Sequence, residues 1–423
     1  MEEKILIEGG KRLSGIIPIS GAKNSCLTLM PLALLSGKEL ILENAPFLSD
    51  VDTMKVLLEN LGCSVKYDLE AKKIQIKLIR EELYLAEYEI VKKMRASILV
   101  LGPLLARYGR ANVALPGGCA IGARPVDLHL MALEALGAEF SIENGYVKAK
   151  TRARLKGNKI NFPFKSVGAT ANTIMAAVLS KGTTKLNNVA QEPEIIDLCR
   201  CLRSMGCIIE GEGGHSIVID GIDDLRSTTH KVVMDRIELG TYMIAGAISD
   251  GDIKLTGGDI SLLESFVNKL YEVGIEITET SEYLRVRRSN KNGIKCTNII
   301  TEPFPGFPTD LQAQMMSLLA IGCGASKIEE QIFENRFMHV PELIRMGAKI
   351  KTQGRKAMIY GVNKLKGAPV IATDLRASVS LVIAGLVAEG QTTIDKVHHL
   401  DRGYEDLIKK LSDCGARIQR IKK

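Results

Sequence analysis

An amphipathic helical pattern that ends at a glycine and continues into a short alternating segment occurs six times along the chain. A glycine after the last helical turn is typical of a left-handed C-terminal cap, and the alternation is typical of a half-buried strand. The glycines are spaced 68 to 75 residues apart and are Gly62, Gly137, Gly206, Gly274, Gly347 and Gly415. The pattern therefore predicts six α/β repeats.

Each copy also contains a second helical segment that is apolar on most sides and rich in small residues, as buried helices are. Most of these segments lead into a turn and a β segment, so each unit reads as β-helix-β-helix-β-β. The predicted buried helices are 24–35, 96–106, 171–179, 240–248, 311–320 and 377–388. Six units of about 70 residues predict a two-lobed α/β fold with three units in each lobe.

A helix, a glycine and a strand also form the commonest α/β junction, but six copies at nearly constant spacing favour a true repeat. The repeat restarts at Asp235, which predicts a lobe boundary near 231–234. Strands predicted at 5–8 and 16–19 would complete the second lobe. We therefore expect one domain at 22–232 and a second at 1–21 plus 233–423, with a double crossover hinge and the active site between the domains.

The composition is that of an ordinary globular protein. The 423 residues are 46% hydrophobic and 25% charged, with a net charge of +7 and no run of five or more basic residues. This mild excess suits small anionic ligands at least as well as nucleic acid. The start of the chain, MEEKILIEGG, has no apolar leader region, and apolar stretches such as 96–106 are too short to span a membrane. We expect a soluble cytoplasmic protein without a membrane or nucleic-acid partner.

The nine cysteines are odd in number and form no CxxC pair, so they indicate neither a disulfide framework nor a zinc site. Cys119 differs from the other eight, which we interpret as inert small hydrophobic residues. It lies in a loop with three glycines, bracketed by Pro116 and Pro125, and five residues before Arg124. A nearby cation lowers the pKa of a thiol, so Cys119 is a candidate reactive thiolate. His129 opens the next helix and could cap it or bind a ligand.

Cations stand at the starts of several buried helices. Ser, Asn and Asp at such positions need no explanation beyond capping. Lys23, Arg95 and Arg376 do need one, because a cation opposes the helix dipole at that end. Together with the unpaired N–H groups of the helix ends, they indicate anion binding. Arg402, in an Asp-Arg-Gly-Tyr turn before the last helix, would by itself be read as a solvated loop charge.

Eight motifs in order along nearly the whole chain closely resemble the UDP-N-acetylglucosamine 1-carboxyvinyltransferase family, within the EPSP synthase family of enolpyruvyl transferases. They are Gly21 to Ser25, Met94 to Ser97, Pro116 to His129, Ser166 to Thr170, Phe307 to Gln312, Ile332 to His339, Asp374 to Ala377 and Asp401 to Tyr404. The resemblance implies an inside-out α/β barrel fold in two domains, each built from three βαβαββ repeats. Lys165 departs from the pattern, since some relatives carry a lysine one place earlier, and it receives no role.

The resemblance implies transfer of the enolpyruvyl group of phosphoenolpyruvate to the 3-hydroxyl of UDP-N-acetylglucosamine, an early step of peptidoglycan precursor synthesis. Cys119 would be the proton donor and adduct site and Asp310 the base, with Lys23 and Arg402 also catalytic. Phosphoenolpyruvate would bind Lys23, Asn24, Arg124, Arg336, Arg376 and Arg402. The UDP-sugar would bind Arg95, Arg124, Pro125, Val126, Asp127, Leu128, Ser166, Val167, Gly168, Asp310 and Ile332. No metal or organic cofactor is implied, since the leaving phosphate is already activated.

Three alternatives share parts of this pattern. A shikimate-pathway enolpyruvyl transferase has the same fold and chemistry but lacks the cysteine loop and has a different lysine motif at the first helix. An RNA 3-phosphate cyclase-like protein would require a nucleotide loop or a concentrated basic face, and neither is present. A non-catalytic UDP-sugar-binding regulator would not need Cys119, Asp310 and Arg402 together.

Overall fold

A computed structural model describes residues 3–115, 126–288 and 293–422. The described chain divides into two compact units. The inserted unit comprises 21–115 and 126–233, and the terminal unit, which holds both chain ends, comprises 3–20, 234–288 and 293–422. The chain passes from one unit to the other at 20/21 and again at 233/234.

The strands of the described residues are β1 Glu3–Glu8, β2 Ser14–Pro18, β3 Leu40–Glu43, β4 Cys63–Asp68, β5 Lys73–Leu78, β6 Leu85–Ala86, β7 Arg110–Ala114, β8 Glu139–Glu143, β9 Tyr146–Lys150, β10 Lys159–Asn161, β11 Thr183–Asn187, β12 Ile208–Glu210, β13 Ser216–Asp220, β14 Thr228–Lys231, β15 Asp252–Thr256, β16 Ile275–Glu279, β17 Tyr283–Arg288, β18 Ile299–Ile300, β19 Ala325–Glu329, β20 Lys349–Gln353, β21 Lys356–Tyr360, β22 Pro369–Ile371, β23 Gln391–Asp395 and β24 Arg417–Lys422.

The α-helices are α1 Lys23–Leu29, α2 Leu32–Ser36, α3 Ser49–Asn60, α4 Tyr88–Val91, α5 Leu101–Tyr108, α6 Asp127–Ala135, α7 Val167–Ala177, α8 Pro193–Ser204, α9 Arg236–Ile248, α10 Glu264–Glu272, α11 Gln312–Ala320, α12 Val340–Arg345, α13 Leu375–Gly385 and α14 Leu407–Asp413. Short 3₁₀ helices are η1 Arg95–Val100, η2 Ile260–Leu263, η3 Thr309–Leu311 and η4 Val397–Arg402. None of these helices is long and apolar enough to cross a membrane.

In the described ranges, six four-stranded sheets repeat a single pairing pattern, three in each unit. The first two strands of every sheet are parallel, and the remaining neighbours are antiparallel. The inserted unit holds the sheets β14-β3-β5-β4, β6-β7-β9-β8 and β10-β11-β13-β12. The terminal unit holds β2-β15-β17-β16, β18-β19-β21-β20 and β22-β23-β1-β24. The six predicted repeats are therefore confirmed.

The first strands of two sheets come from distant parts of the chain. Strand β2 precedes the first helix of the inserted unit but pairs with β15 of the terminal unit. Strand β14 precedes α9 of the terminal unit but pairs with β3 of the inserted unit. Strand β1 pairs with β24, so the two ends of the chain complete the sixth sheet together.

Apolar helices form the centre of each unit. In the terminal unit α9, α11 and α13 contact one another, and almost all of their residues are buried. The strands around them bury alternate residues, as in β5, where Ile74, Ile76 and Leu78 are buried while Lys73 and Lys77 are exposed. Helices inside and sheets outside are the inside-out α/β arrangement that the resemblance implied.

The six repeat glycines adopt the left-handed conformation predicted for them. Their φ angles lie between +90° and +103°. At Gly62 an added Cβ atom would also lie 2.1 Å from the carbonyl oxygen of Arg80, so both the backbone angle and the available space require glycine. The first predicted buried helix is divided into α1 and α2 at Pro31, which has no N–H to continue the helical hydrogen bonds.

Candidate active site

The carboxylate of Asp310 lies between two buried guanidinium groups in the terminal unit. Arg336 Nη2 donates to Oδ1 at 2.7 Å, and Arg376 Nη2 donates to Oδ2 at 3.0 Å. The two arginine side chains are only 5% and 6% exposed, whereas the Asp310 side chain is 26% exposed. Two cations around one carboxylate leave a net positive charge, which suits an anionic ligand.

Arg376 stands in the first turn of α13, where the helix dipole opposes a cation. Asp374 caps this helix by accepting from the backbone N–H groups of Arg376 at 2.8 Å and Ala377 at 3.0 Å. Burial acts to lower the pKa of the Arg376 guanidinium, but Asp310 and Tyr404 outweigh it and raise this pKa above its ordinary value. Neighbouring acids thus explain how the cation predicted at this helix start is tolerated.

Glu330 organises the segment that carries Arg336. It is buried, and its Oε1 accepts from the backbone N–H groups of Ile332 at 2.8 Å and Phe333 at 3.1 Å. Its Oε2 accepts from the hydroxyl of Thr309, the neighbour of Asp310, at 2.8 Å. The N–H of Ile332 is therefore occupied, and its carbonyl oxygen is the backbone group that can accept from a ligand.

Arg402 lies at the end of η4 in the same unit. Tyr404, two residues later, is buried and accepts a hydrogen bond from Arg376 Nη1 at 3.2 Å. Three of the predicted residues, Asp310, Arg336 and Arg376, thus form one bonded cluster, and Arg402 lies on the loop that reaches this cluster through Tyr404.

Lys23 is the first residue of α1 in the inserted unit, and it is buried. Its Nζ lies 3.0 Å from Oδ2 of Asp50, which is also buried. The adjacent Asn24 is exposed, while Ser25 donates to the carboxylate of Asp197. The helix start that bears the predicted cation is therefore anchored by two acids.

His129 is a buried, neutral histidine rather than a helix cap. The amide of Asn172 is oriented by Gly102 N, which donates to its Oδ1 at 2.7 Å, and by the carbonyl of Ile98, which accepts from its Nδ2 at 2.9 Å. Nδ2 lies 3.0 Å from Nδ1 of His129, so Nδ1 accepts and the proton resides on Nε2. Burial, and secondarily the charge of Arg95, lowers the pKa of His129 to about 4.

The start of α7 lies directly against this histidine. An added Cβ at Gly168 would be 3.1 Å from Cε1 and 3.2 Å from Nε2 of His129. Ser166 caps the helix by accepting from the N–H of Ala169 at 3.3 Å. The inserted unit also carries the other described residues predicted to bind the UDP-sugar there, which are Arg95, Val126, Asp127, Leu128 and Val167. Lys165 donates instead to the side chain of Gln191.

The predicted residues Cys119, Arg124 and Pro125 lie outside the described residues. Of the other cysteines, Cys26, Cys63, Cys199, Cys201, Cys207 and Cys414 are buried, and burial raises the pKa of each thiol. For Cys26, Cys63, Cys199 and Cys207 the value is about 12. Cys296 and Cys323 are exposed, beside Gly324 and Gly293 respectively, so these two lie outside the core.

Sequence reasoning missed Asp50, Asn172, Asp197, Glu330 and Tyr404, which hold the predicted residues in place. Two of these residues could have been found from sequence. Tyr404 lies in one of the eight motifs, and Glu330 directly follows strand β19. In the described ranges no three His, Cys, Asp or Glu side chains gather as a metal site would require.

The chain matches proteins of known families over almost its full length. The family model described as EPSP synthase (3-phosphoshikimate 1-carboxyvinyltransferase) matches residues 7–411. Proteins named UDP-N-acetylglucosamine 1-carboxyvinyltransferase are similar to it in Dinoroseobacter shibae, with 58% identity over 420 residues, and in Gluconobacter oxydans, with 53% over 421. Each of these matches covers 99% of both chains.

Two solved structures show the same fold at low identity. The enolpyruvyl transferase NikO from Streptomyces tendae has a TM-score of 0.87 at 23% identity, covering 99% of both chains. EPSP synthase from Acinetobacter baumannii has a TM-score of 0.77 at 16% identity, covering 100% of both chains. With these folds and with identities of 53% and 58% to its relatives, the chain belongs to the UDP-N-acetylglucosamine 1-carboxyvinyltransferase family of enolpyruvyl transferases.

Proposed function

We propose that this chain transfers the enolpyruvyl group of phosphoenolpyruvate to the 3-hydroxyl of UDP-N-acetylglucosamine and releases phosphate, the first committed step of peptidoglycan precursor synthesis. The observation that carries the proposal is the partly exposed Asp310 carboxylate held by two buried arginines, in a chain of this family. We assign the enzyme to the cytoplasm, in line with the expectation from the sequence.

Phosphoenolpyruvate carries a phosphate and a carboxylate, and guanidinium forks match the geometry of both. Arg336, Arg376 and Arg402 of the terminal unit are the proposed arginine ligands, and Arg124 joins them through the family motif. Lys23 and Asn24 of the inserted unit complete the set. Arg336 and Arg376 each donate to Asp310 through Nη2, and Arg376 also donates to Tyr404 through Nη1. The remaining N–H groups of both guanidinium groups can bind the substrate. Because both arginines are buried, they meet the substrate charge with little screening by water.

The reaction needs a base for the sugar hydroxyl and an acid for the methylene carbon. We assign the base to Asp310, because a carboxylate is a competent acceptor and part of its side chain is exposed. The hydroxyl oxygen bonds to the central carbon while Cys119 supplies a proton to the methylene. In the tetrahedral adduct the bond between the central carbon and the phosphate oxygen then breaks, and a methyl proton returns to the Cys119 thiolate to restore the double bond. The phosphate leaves with the proton that Asp310 took from the sugar hydroxyl. The arginines stabilise the charge that develops on the leaving group.

The UDP-sugar ligands are proposed to be Arg95, Arg124, Pro125, Val126, Asp127, Leu128, Ser166, Val167, Gly168, Asp310 and the backbone of Ile332. Neutral His129 supports the helix start at Gly168 without adding charge there. The shikimate-pathway alternative is not favoured, because the similar proteins with 53% and 58% identity bear the UDP-N-acetylglucosamine name. The EPSP synthase from Acinetobacter baumannii, at 16% identity, shows the fold alone.

The product tests this proposal. The enzyme is incubated with phosphoenolpyruvate and UDP-N-acetylglucosamine, and the nucleotide sugar is analysed by mass spectrometry and NMR. We expect one enolpyruvyl ether at the 3-hydroxyl and an equal amount of phosphate. Binding of the UDP-sugar without any new ether would favour the non-catalytic regulator instead.

A further inference from the structure

The hydroxyl of Tyr404 lies within hydrogen-bond distance of one residue from each of the three central helices of the terminal unit. Its hydroxyl lies 3.0 Å from Oγ1 of Thr241 on α9, 3.3 Å from Nε2 of Gln314 on α11, and 3.2 Å from Nη1 of Arg376 on α13. Tyr404 is itself buried, and burial raises its pKa, so the hydroxyl remains protonated at neutral pH. One residue from each helix thus shares a single hydroxyl group.

The donors and acceptors fix the direction of every bond in this network. Arg376 and Gln314 can only donate through these nitrogens, so the Tyr404 oxygen accepts from both. It shares the Gln314 N–H with Oγ1 of Thr241, which lies 3.2 Å from the same Nε2. Thr241 donates its own proton to the carbonyl of Ile237 at 2.7 Å, so Tyr404 must donate to Thr241. The hydroxyl of Tyr404 is therefore fully used, and it cannot rotate away from Arg376 without losing bonds.

This network holds Arg376 at two points. Nη1 is bound to Tyr404 and Nη2 to Asp310, and Cζ lies 5.6 Å from the centre of the phenol ring. Gln314 adds a second connection, because its Nε2 also donates to the backbone carbonyl of Asp310 at 2.8 Å. The orientation of the guanidinium and the position of the Asp310 carboxylate therefore depend on the same buried hydroxyl.

Tyr404 also connects this cluster to the loop of Arg402. The backbone N–H groups of Gly403 and Tyr404 both donate to the carbonyl of Leu400, each at 3.1 Å, so the turn after Arg402 is closed. Fixing the Tyr404 ring consequently limits where Arg402 can lie relative to Arg376.

We propose that Tyr404 is a positioning residue, whose hydroxyl orients Arg376 and Asp310 and fixes the loop of Arg402 for binding of the phosphoenolpyruvate anion. This inference rests on the proposed function. It goes beyond a packing role, because packing requires only the ring, whereas positioning requires the hydroxyl.

Tyr242, which lies on α9 next to Thr241, provides a matched control outside this network. It is fully buried beside Thr241, and its hydroxyl finds no hydrogen-bond partner among the described residues. Tyr242→Phe and Tyr404→Phe therefore each remove one buried hydroxyl, but only the second removes hydrogen bonds. Thr241→Val and Thr241→Ser form a second pair, since only serine preserves the acceptor for Tyr404 and Gln314.

The test measures kcat, both KM values, the melting temperature and, by calorimetry, phosphoenolpyruvate binding without the acceptor. Because a hydrogen bond to a charged group is lost, Tyr404→Phe should weaken phosphoenolpyruvate binding and raise its KM by about tenfold. The KM for the UDP-sugar should change less than about twofold. Tyr242→Phe and Thr241→Ser should resemble the wild type, and Thr241→Val should shift in the direction of Tyr404→Phe.

Equal phosphoenolpyruvate binding by Tyr404→Phe and Tyr242→Phe would overturn the inference. So would a lower melting temperature in Tyr404→Phe with both KM values unchanged, since that result describes a structural hydroxyl. A wild-type enzyme that binds phosphoenolpyruvate but forms no ether would contradict only the proposed function, and the binding comparison would still decide the role of Tyr404.

Discussion

The ammonium nitrogen of Lys23 lies 3.0 Å from a carboxylate oxygen of Asp50, and both side chains are buried. A buried ion pair costs stability when one charge is removed, because the other charge loses compensation while it stays out of water. The pair therefore couples the position of a proposed substrate cation to the stability of the inserted unit.

Asp50→Asn should lower the free energy of unfolding by about 3 kcal/mol, because it removes a buried charge that compensates Lys23. Urea unfolding measures the change. Asp52→Asn is the control, since Asp52 lies on the same helix but is exposed. Identical unfolding midpoints for Asp50→Asn and Asp52→Asn would show that the ion pair of Lys23 and Asp50 contributes nothing to stability.

Asp310→Asn should lower kcat by about 10² to 10⁴, the range expected for loss of a general base. Phosphoenolpyruvate should bind at least as tightly, because Arg336 and Arg376 are no longer neutralised by the carboxylate. Steady-state kinetics and calorimetry separate the two effects. Asp413→Asn, at an exposed ion pair with Lys409, should leave both unchanged. Wild-type kcat in Asp310→Asn would exclude this residue as the base.

His129 should make the protein less stable in acid. Its pKa is about 4 in the folded protein and 6.5 ordinarily, so the unfolded chain binds more protons as the pH falls between these values. Stability present above pH 6.5 is then progressively lost, by about 3 kcal/mol at pH 4. In urea unfolding, His129→Gln should remove much of this dependence of stability on pH. Part of the dependence will remain, because burial also lowers the pKa of His339 to about 4. An unaltered slope in His129→Gln would contradict the assignment.

Fosfomycin, an anionic epoxide, should alkylate the protein at Cys119 alone and faster in the presence of UDP-N-acetylglucosamine. The reason is that Arg124, five residues after Cys119 in sequence, is expected to favour its nucleophilic thiolate, whereas burial raises the pKa of six other thiols. Peptide mass mapping locates the adduct. Cys119→Ser should abolish labelling, and replacing the exposed Cys296 and Cys323 with serine should not affect it. An adduct on either exposed cysteine would argue against an activated Cys119.

The repeat could be predicted from sequence because its signals are local. A glycine at φ near +90° and an alternating strand follow each other within a few residues, six times over. The restart of the repeat also led us to expect the strand at 16–19 in the second lobe. The pairing partners of β2 and β14 could not be read in this way, since they depend on segments more than 180 residues apart.

The candidate site shows the same limit. Lys23, Asp310, Arg336 and Arg376 stood out as chemistry-bearing residues within motifs. The residues that hold them did not, because they lie far away in sequence: 27 positions separate Lys23 from Asp50, and 28 separate Arg376 from Tyr404. Only the fold brings these charges together, and only a structure shows that Tyr404 donates to Thr241 while accepting from Arg376.

Phosphate release from phosphoenolpyruvate, with the acceptor varied, tests the central claim most directly. The same enzyme preparation is assayed with UDP-N-acetylglucosamine and with shikimate 3-phosphate, and a reaction without an acceptor serves as the control. Release with the nucleotide sugar, and none above the control with shikimate 3-phosphate, is the result we predict. Release with shikimate 3-phosphate alone would contradict the account.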